Sequence, residues 1–460
     1  MAETLHNFLH NSEQKAFDLQ HKGKLLFNIG KYDKAVISGK LQYQDLELVK
    51  RRAKTIKWKA IENLDKLLIE FETNFMANGG KVIWANDEKE AQAEILKILK
   101  KKNAKSIVKA KSMATEEIHL NEFLGEHGIE SIETDLGEFI QQLDGEAPYH
   151  IVTPAMHKSK QDVAELFAKK LGTDVNLSAQ ELTLVAREKL REKYLKAEVG
   201  ISGANFILPD IGGIAITENE GNARLSTSFP KTHIVVVGIE KMLTSMNDLH
   251  WIWPLLATYG TGQKVTVYNT ILTGPRKEIE TDGPEEMYVV LLDNGRTKLL
   301  AHEDKREALY CIRCGACLNA CPVYKNIGGH SYGTTYSGPI GSIITPHFKG
   351  MEEFRHLSQA SSLCGNCTEV CPVKINLHKL LLYNRHESVE EGFTTWSERT
   401  MWRIWRSAML SRKKMERGNA SLKNTIAGIL FKNSWGKRRE MFQFAPKSFS
   451  KQWVEKNPEQ

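Results

Sequence analysis

The feature that most restricts this chain is the placement of its cysteines, all seven of which fall between residues 311 and 371. The first run reads Cys311-Ile-Arg-Cys314-Gly-Ala-Cys317-Leu-Asn-Ala-Cys321-Pro322. That is the C-x2-C-x2-C-x3-C-P spacing of bacterial two-cluster ferredoxins. Three thiolates at steps of three residues wrap a tight chain reversal around three corners of an iron–sulfur cubane. A fourth cysteine continuing in the same direction does not reach the remaining corner, so Cys321 is free to serve a second cluster. Gly315 lets the backbone approach the inorganic sulfides, whose charge the N–H groups then stabilise.

The second run is Cys364-Gly-Asn-Cys367-Thr-Glu-Val-Cys371-Pro372. Aligned on Cys-Pro, it supplies the second, third and fourth positions of the same pattern, and the first falls on Ser361. The interleaved rule assigns Cys311, Cys314, Cys317 and Cys371 to a complete [4Fe–4S] site, and Cys321, Cys364 and Cys367 to a second site. Three thiolates suit a [3Fe–4S] cluster. They equally suit a [4Fe–4S] cluster whose last iron takes Ser361, Ser362, water or an exogenous ligand. Structural zinc would want four ligands in separate pairs, and an odd cysteine count does not make a disulfide framework. Two clusters together favour an electron relay, since a cluster used only as a staple needs no neighbour. The interval from Cys321 to Cys364 exceeds that of compact ferredoxins and resembles the helical two-cluster domains of iron–sulfur subunits in succinate and glycerol-3-phosphate dehydrogenases.

The length of 460 residues suggests roughly two to four domains. A hydrophobic content of 41% is ample for a globular core. No stretch approaches the roughly 18–20 apolar residues of a membrane span, and no apolar leader follows Met1, so the expected compartment is the cytoplasm. Clustered thiols there point to metal or redox chemistry.

Residues 1–45 read as short helices or an arm. Leu46 to Asn78 has helical periodicity, stopped at Gly79-Gly80. Strands and helices then alternate, with strands expected at Lys81–Ala85, Ser106–Ala110, Glu130–Thr134 and His150–Pro154. Such alternation predicts a mostly parallel sheet covered by helices. Ala197–Gly238 reads as two strands turning near Pro209-Asp210, then a loop and the strand His233–Gly238; Lys264–Asn269 and Met287–Leu292 are further strands. Strand signals vanish after about residue 300, and Leu377, Leu380 and Leu381 mark a helix beyond the second run. The expected organisation is an arm over 1–45, an α/β domain over 46–300, an all-α two-cluster ferredoxin-type domain over 301–400, and a C-terminal segment over 401–460.

With Ala110-Lys-Ser-Met-Ala-Thr-Glu-Glu117, Gly200-Ile-Ser-Gly-Ala-Asn205, Glu218-Asn-Glu-Gly-Asn-Ala-Arg224 and Asp282-Gly-Pro-Glu-Glu286 ahead of the cysteines, the chain resembles the lactate utilization protein B family. The likeness runs from about residue 50 to 440. It implies an α/β domain of the sugar-phosphate isomerase and CoA-transferase type, with cluster ligands on the same seven cysteines. It also implies a role in passing electrons from L-lactate, as it becomes pyruvate, to an acceptor not identified by sequence. The partners implied are two sister proteins, one with cysteine-rich redox motifs and one a lone copy of the α/β domain. On this reading the chain is an electron-transfer component of an oxidoreductase complex and not a complete enzyme. The alternative is a ligand-binding α/β protein whose structural clusters report redox or iron status.

Several other residues attract a functional reading. Gly212-Gly213 and the loop Asn219–Arg224 have the make-up of an anion cradle, with Arg224 facing a carboxylate or phosphate; the bland alternative is tight turns and a solvated arginine. Lys111, Ser112 and Thr115 sit where a strand gives way to a helix, a common ligand edge, though one hydroxyl there is expected to be an N-cap. Glu218 and Glu220 resemble the CoA-transferase nucleophile by fold analogy only. His330 and His347, between the cysteine runs, are candidates for tuning a cluster or relaying protons. No haem, flavin or nicotinamide fingerprint is convincing.

The charge is uneven. The chain carries +7 overall, but Met401–Gln460 holds fourteen Lys/Arg against four Asp/Glu, leaving residues 1–400 slightly negative. Trp402, Trp405, Trp435, Phe442 and Trp453 lie among Arg403, Arg406, Arg412, Lys413, Lys414, Lys437 and Arg438. Aromatics among cations suit a partner surface or an anionic face such as the inner membrane leaflet. Nucleic acid is not expected, because the body is not basic. Deleting Met401–Gln460 is expected to abolish co-purification with the sister proteins; undiminished association would remove the docking role.

Overall fold

A computed structural model describes residues 2–435 and 440–458. The chain forms two compact units, Met1–Ser388 and Val389–Gln460. The first holds a six-stranded sheet in the order β1-β9-β7-β4-β2-β3, from β1 (Lys81–Ala85), β2 (Ser106–Lys109), β3 (Glu130–Glu133), β4 (Val199–Ser202), β7 (Thr232–Gly238) and β9 (Glu286–Leu292). Every pairing in it is parallel. A smaller antiparallel sheet joins β5 (Phe206–Leu208), β6 (Gly213–Glu218) and β8 (Tyr268–Leu272).

The central strands explain themselves. β7 and β9 are near-continuous apolar runs because both faces of a parallel sheet are covered. Ile234 and Val236 pack on one face with Ile95, Leu99 and Ile107. Val235 and Val237 pack on the other with Phe71 and Phe75. Successive side chains point to opposite faces, so neither register could slip by one residue without exposing a full set. Gly200 is required in β4: a Cβ there would lie 1.9 Å from the Ser226 carbonyl oxygen, on the helix Asn222–Ser228.

Several elements differ from the sequence expectation for physical reasons. His150–Pro154 is not a strand but a sequence of turns. The Val152 and Thr153 N–H groups donate to His150 Nδ1 at 3.1 and 3.2 Å, and Tyr149 N–H to the Pro154 carbonyl, so no ladder forms. The stretch 197–218 divides between sheets, β4 joining the parallel one while β5 and β6 form the hairpin about Pro209–Ile211. β8 starts later than Lys264, because its partner β6 pairs Glu218 with Tyr268 and Ile214 with Leu272. Residues 2–40 hold two long helices, Ala2–Ala16 and Leu19–Lys40, the second capped by Asp18.

Residues 303–388 carry no strand. Short helices follow each cysteine loop, and Gly338–Lys349, Met351–Gln359 and Leu377–Glu390 surround them. Leu377, Leu380 and Leu381 are buried as their spacing predicts, within one core that also takes in Cys314, Cys321, Cys367 and Cys371.

In the second unit, the helix Trp396–Met409 has no buried residue. Trp402 and Trp405 stack edge to face with centroids 5.6 Å apart. Lys437, Arg438 and the Trp435 side chain lie outside the described residues. Among the described residues no helix is long and apolar enough to cross a membrane.

Burial also sets a pH dependence. It lowers His233, which shares a 2.8 Å hydrogen bond with Ser202 Oγ, to about 3, and, with help from Lys111, lowers His150 to about 3. Both stay neutral in the folded chain, whereas the unfolded chain protonates them below roughly pH 6.5. The unfolded state therefore binds more protons as pH falls, and each histidine removes at most about 1.4 kcal/mol of stability per pH unit below that point. Urea midpoints are expected to fall between pH 7 and pH 5; a flat profile across that window would contradict the burial of both rings.

Candidate iron–sulfur centre and the cavity beside it

The two cysteine loops repeat one backbone geometry. Arg313 and Leu363 both adopt positive φ, at 61° and 53°, as do Gly315 and Gly365, at 78° and 83°. Each loop runs into a one-turn helix, Ala316–Ala320 or Asn366–Val370. Leu318 N–H donates to the Gly315 carbonyl and Thr368 N–H to that of Gly365. Arg313 N–H donates to Cys311 Sγ at 3.4 Å, and Leu363 N–H donates to Ser361 Oγ at 3.1 Å. Ser361 thus takes in its loop the place that Cys311 takes in the other.

Cys311, Cys314, Cys317 and Cys371 line one small chamber, closed by Ile151, Ile312, Ile340, Val373, Ile375 and Leu377. No cysteine is in a disulfide. Ile375 N–H donates to Cys371 Sγ at 3.3 Å. Burial pushes the Cys371 thiol up to about 12 and raises Cys314 and Cys317 as well, each with a contribution from neighbouring cysteines. Such thiols stay protonated in an apolar chamber, and iron would bind them as thiolates, with release of the protons. Cys321 and Cys367 are raised by burial too, Cys367 to about 11, and Cys364 adds to both shifts. Cys364 itself is exposed. Four convergent thiols with backbone donors suit an iron–sulfur cluster by donor chemistry. The Cys321, Cys364 and Cys367 group suits one that opens toward solvent.

A larger cavity of about 380 Å³ lies at the carboxyl ends of β2, β4 and β7. Lys111, Ser112, Asn219 and Glu220 line it, as does Glu218. Glu218 accepts the Ala223 and Arg224 N–H groups at 2.7 and 2.8 Å, so a side chain already fills the helix end read as an anion cradle. Arg224 is exposed over Tyr268. At Gly212 (φ 56°) a Cβ would lie 2.4 Å from Phe75 N, so close packing on the helix Leu64–Ala77 explains that glycine. Ser112 is the N-cap of Met113–Glu117, and Thr115 is buried against Lys109. His330 bonds the Ala147 carbonyl at 2.7 Å and His347 the Asn384 side chain at 2.9 Å; neither lines the cysteine chamber.

Sequence reasoning missed a buried charged network, from which Glu240, Arg296, Arg313 and Tyr336 reach the cavity lining. Arg296 meets Glu117 through two 2.8 Å hydrogen bonds and Glu240 through Nε. Glu117 also accepts from Tyr336 at 2.6 Å and from Asn294 at 2.7 Å. Arg313, from the middle of the first cysteine loop, reaches Glu240 at 3.4 Å and stacks over Tyr336 at 4.5 Å. Burial would raise both acids, but Arg296 outweighs it and holds Glu117 low; Arg296 with Arg313 takes Glu240 to about 2. Lys57 donates to the Glu240 and Met242 carbonyls at 2.6 and 2.9 Å. Burial, with Arg313 adding to it, brings Lys241 down to about 8. These residues come from six separate stretches of chain with no motif in common, so no spacing marks them.

A parallel sheet of this kind followed by a helical, cysteine-lined chamber defines an iron–sulfur protein built on an α/β domain. Residues 68–292 match the LUD domain and residues 307–375 the 4Fe-4S dicluster domain. Lactate utilization protein B of Bacillus velezensis is 46% identical over 75% of this chain and 73% of its own. That of Bacillus thuringiensis is 47% identical over 73% and 71%. The chain belongs to the lactate utilization protein B family and is an iron–sulfur protein of lactate utilization. A solved DUF162 family protein from Deinococcus radiodurans overlaps 50% of this chain and 98% of its own at 12% identity, with a TM-score of 0.29.

Removing one partner of a buried ion pair strands the other charge. Glu117→Ala is expected to cost ~3–5 kcal/mol in denaturant unfolding, against about 1 kcal/mol for Asn294→Ala, which removes one neutral donor. Equal effects would mean that the carboxylate is not the centre of the network.

Proposed function

We propose that this chain is the electron-transfer subunit of a complex that oxidises L-lactate to pyruvate, with two iron–sulfur clusters as its relay. Cys311, Cys314, Cys317 and Cys371 hold a [4Fe–4S] cluster. Cys321, Cys364 and Cys367 hold the second cluster, with Ser361 beside its remaining position. The observation that carries this reading is the convergence of four free thiols from both runs on one apolar chamber, with Cys321, Cys364 and Cys367 grouped next to it. The dicluster match and the name of the relatives agree with it.

When bound, such clusters supply one-electron redox steps. The chain's own residues do the rest. Ile151, Ile340 and Leu377 keep water from the first cluster. Backbone N–H groups from Arg313 and Ile375 stabilise thiolate charge. Exposed Cys364 puts the second cluster near the surface, where a partner can exchange electrons with it. The domains divide near residue 300, and the two sister proteins, an acceptor and the anionic membrane face are the contacts for which the basic, aromatic C-terminal segment is suited.

The test is anaerobic reconstitution with iron and sulfide, followed by metal counting and low-temperature EPR before and after reduction. About eight irons in two reducible centres are expected. Near seven irons with an oxidised-state signal would place [3Fe–4S] at the three-cysteine site. Cys371→Ser should lose about half of the iron while Cys367→Ser perturbs the other centre. Bound zinc or negligible iron would overturn the relay.

A further inference from the structure

The cavity beside the cysteine chamber is not needed to hold a cluster. Its volume of about 380 Å³ falls in the range of small-molecule sites. Most of its charged lining is already engaged. Asp135 and Glu220 accept N–H groups at the start of the helix Leu136–Asp144, Glu218 caps Asn222–Ser228, and Glu240 is held by Arg296. Lys111 donates to the Val152 carbonyl. Two cations keep unspent donors. Arg313 has a side chain only 9% exposed, and its Nε and Nη1 find no partner. Lys241 makes no hydrogen bond from Nζ among the described residues. The buried Arg313 donors are costly unless an anion meets them, and the half-buried Lys241 lines the same cavity.

These cations adjoin the first cluster site. Arg313 gives its N–H to Cys311 Sγ, while its side chain lines the cavity and not the cysteine chamber. Ile151 lines both spaces. A Cβ on Gly260, another lining residue, would lie 3.6 Å from the Cys314 carbonyl oxygen. Four carboxylates in the same lining oppose a dianion and favour a ligand with one negative charge. Ser112 and Asn205 offer it a hydroxyl and an amide partner.

We infer that this cavity binds a small monocarboxylate through Lys241 and Arg313, and that binding is linked to the redox state of the first cluster. Reduction adds negative charge beside the cations, so the reduced protein holds the anion less tightly. By reciprocity, the bound anion lowers the cluster potential. The linkage rests on the proposed cluster assignment, whereas the binding site does not.

The test uses the full-length reconstituted protein with its iron counted, titrated calorimetrically with L-lactate, pyruvate and inorganic phosphate. Saturable binding of a monocarboxylate to the oxidised protein is expected, weaker by about tenfold after electrochemical reduction. That factor equals a shift of about 59 mV in the first cluster's potential. Lys241→Gln should weaken binding about tenfold at unchanged iron content, and Lys241→Arg should preserve it. No saturable carboxylate binding, preference for phosphate, or indifference to Lys241→Gln would overturn the site. Binding without a redox shift in iron-replete protein would overturn the linkage, and a low iron count would instead indict the cluster assignment.

Discussion

The structure turns on a buried chain of alternating charges, Glu117–Arg296–Glu240–Arg313. Its members come from the end of a short helix after β2, the helix Arg296–Ala301, the loop after β7 and the first cysteine loop. No apolar contact could perform the same joining, because each residue must present its charge at one place for the next to be satisfied. Buried ion pairs add little net stability against a well-packed apolar alternative, yet they tolerate few other arrangements. The network ties the cysteine loop to the carboxyl ends of the sheet. Tyr336, from between the two cysteine runs, closes it by bonding Glu117 and lying under Arg313.

That placement explains the neighbourhood of chamber and cavity. The carboxyl ends of parallel strands are where α/β sheets leave room for ligands. Here that room is roofed by the loop that also offers the first thiols, so one arginine belongs to both: its backbone to the sulfur side, its side chain to the ligand side.

Much of this was legible in the sequence, and the reason is chemical. Cysteine spacing is dictated by a rigid inorganic object, so it survives as a pattern whatever surrounds it. The apolar runs of β7 and β9 announce a doubly covered parallel sheet in the same direct way. Ile151 and Val152 misled because apolar β-branched residues also line chambers, and only the His150 ring, taking up their neighbours' N–H groups, decides between strand and turn. The glycines at 212 and 213 and the Glu218 loop looked like an anion cradle because packing glycines and ligand glycines are written alike. Arg313 carried no local signal, since its partners Glu240 and Tyr336 are distant in sequence.

The turn at Ser361 carries a last implication. Its hydroxyl oxygen accepts the Leu363 N–H just as Cys311 sulfur accepts that of Arg313. The shape of the loop therefore does not depend on sulfur at its first position, because the hydrogen bond that sets it asks only for an acceptor atom. A single atom, oxygen or sulfur, is all that distinguishes the first positions of the two loops, and the backbone takes the same course past either.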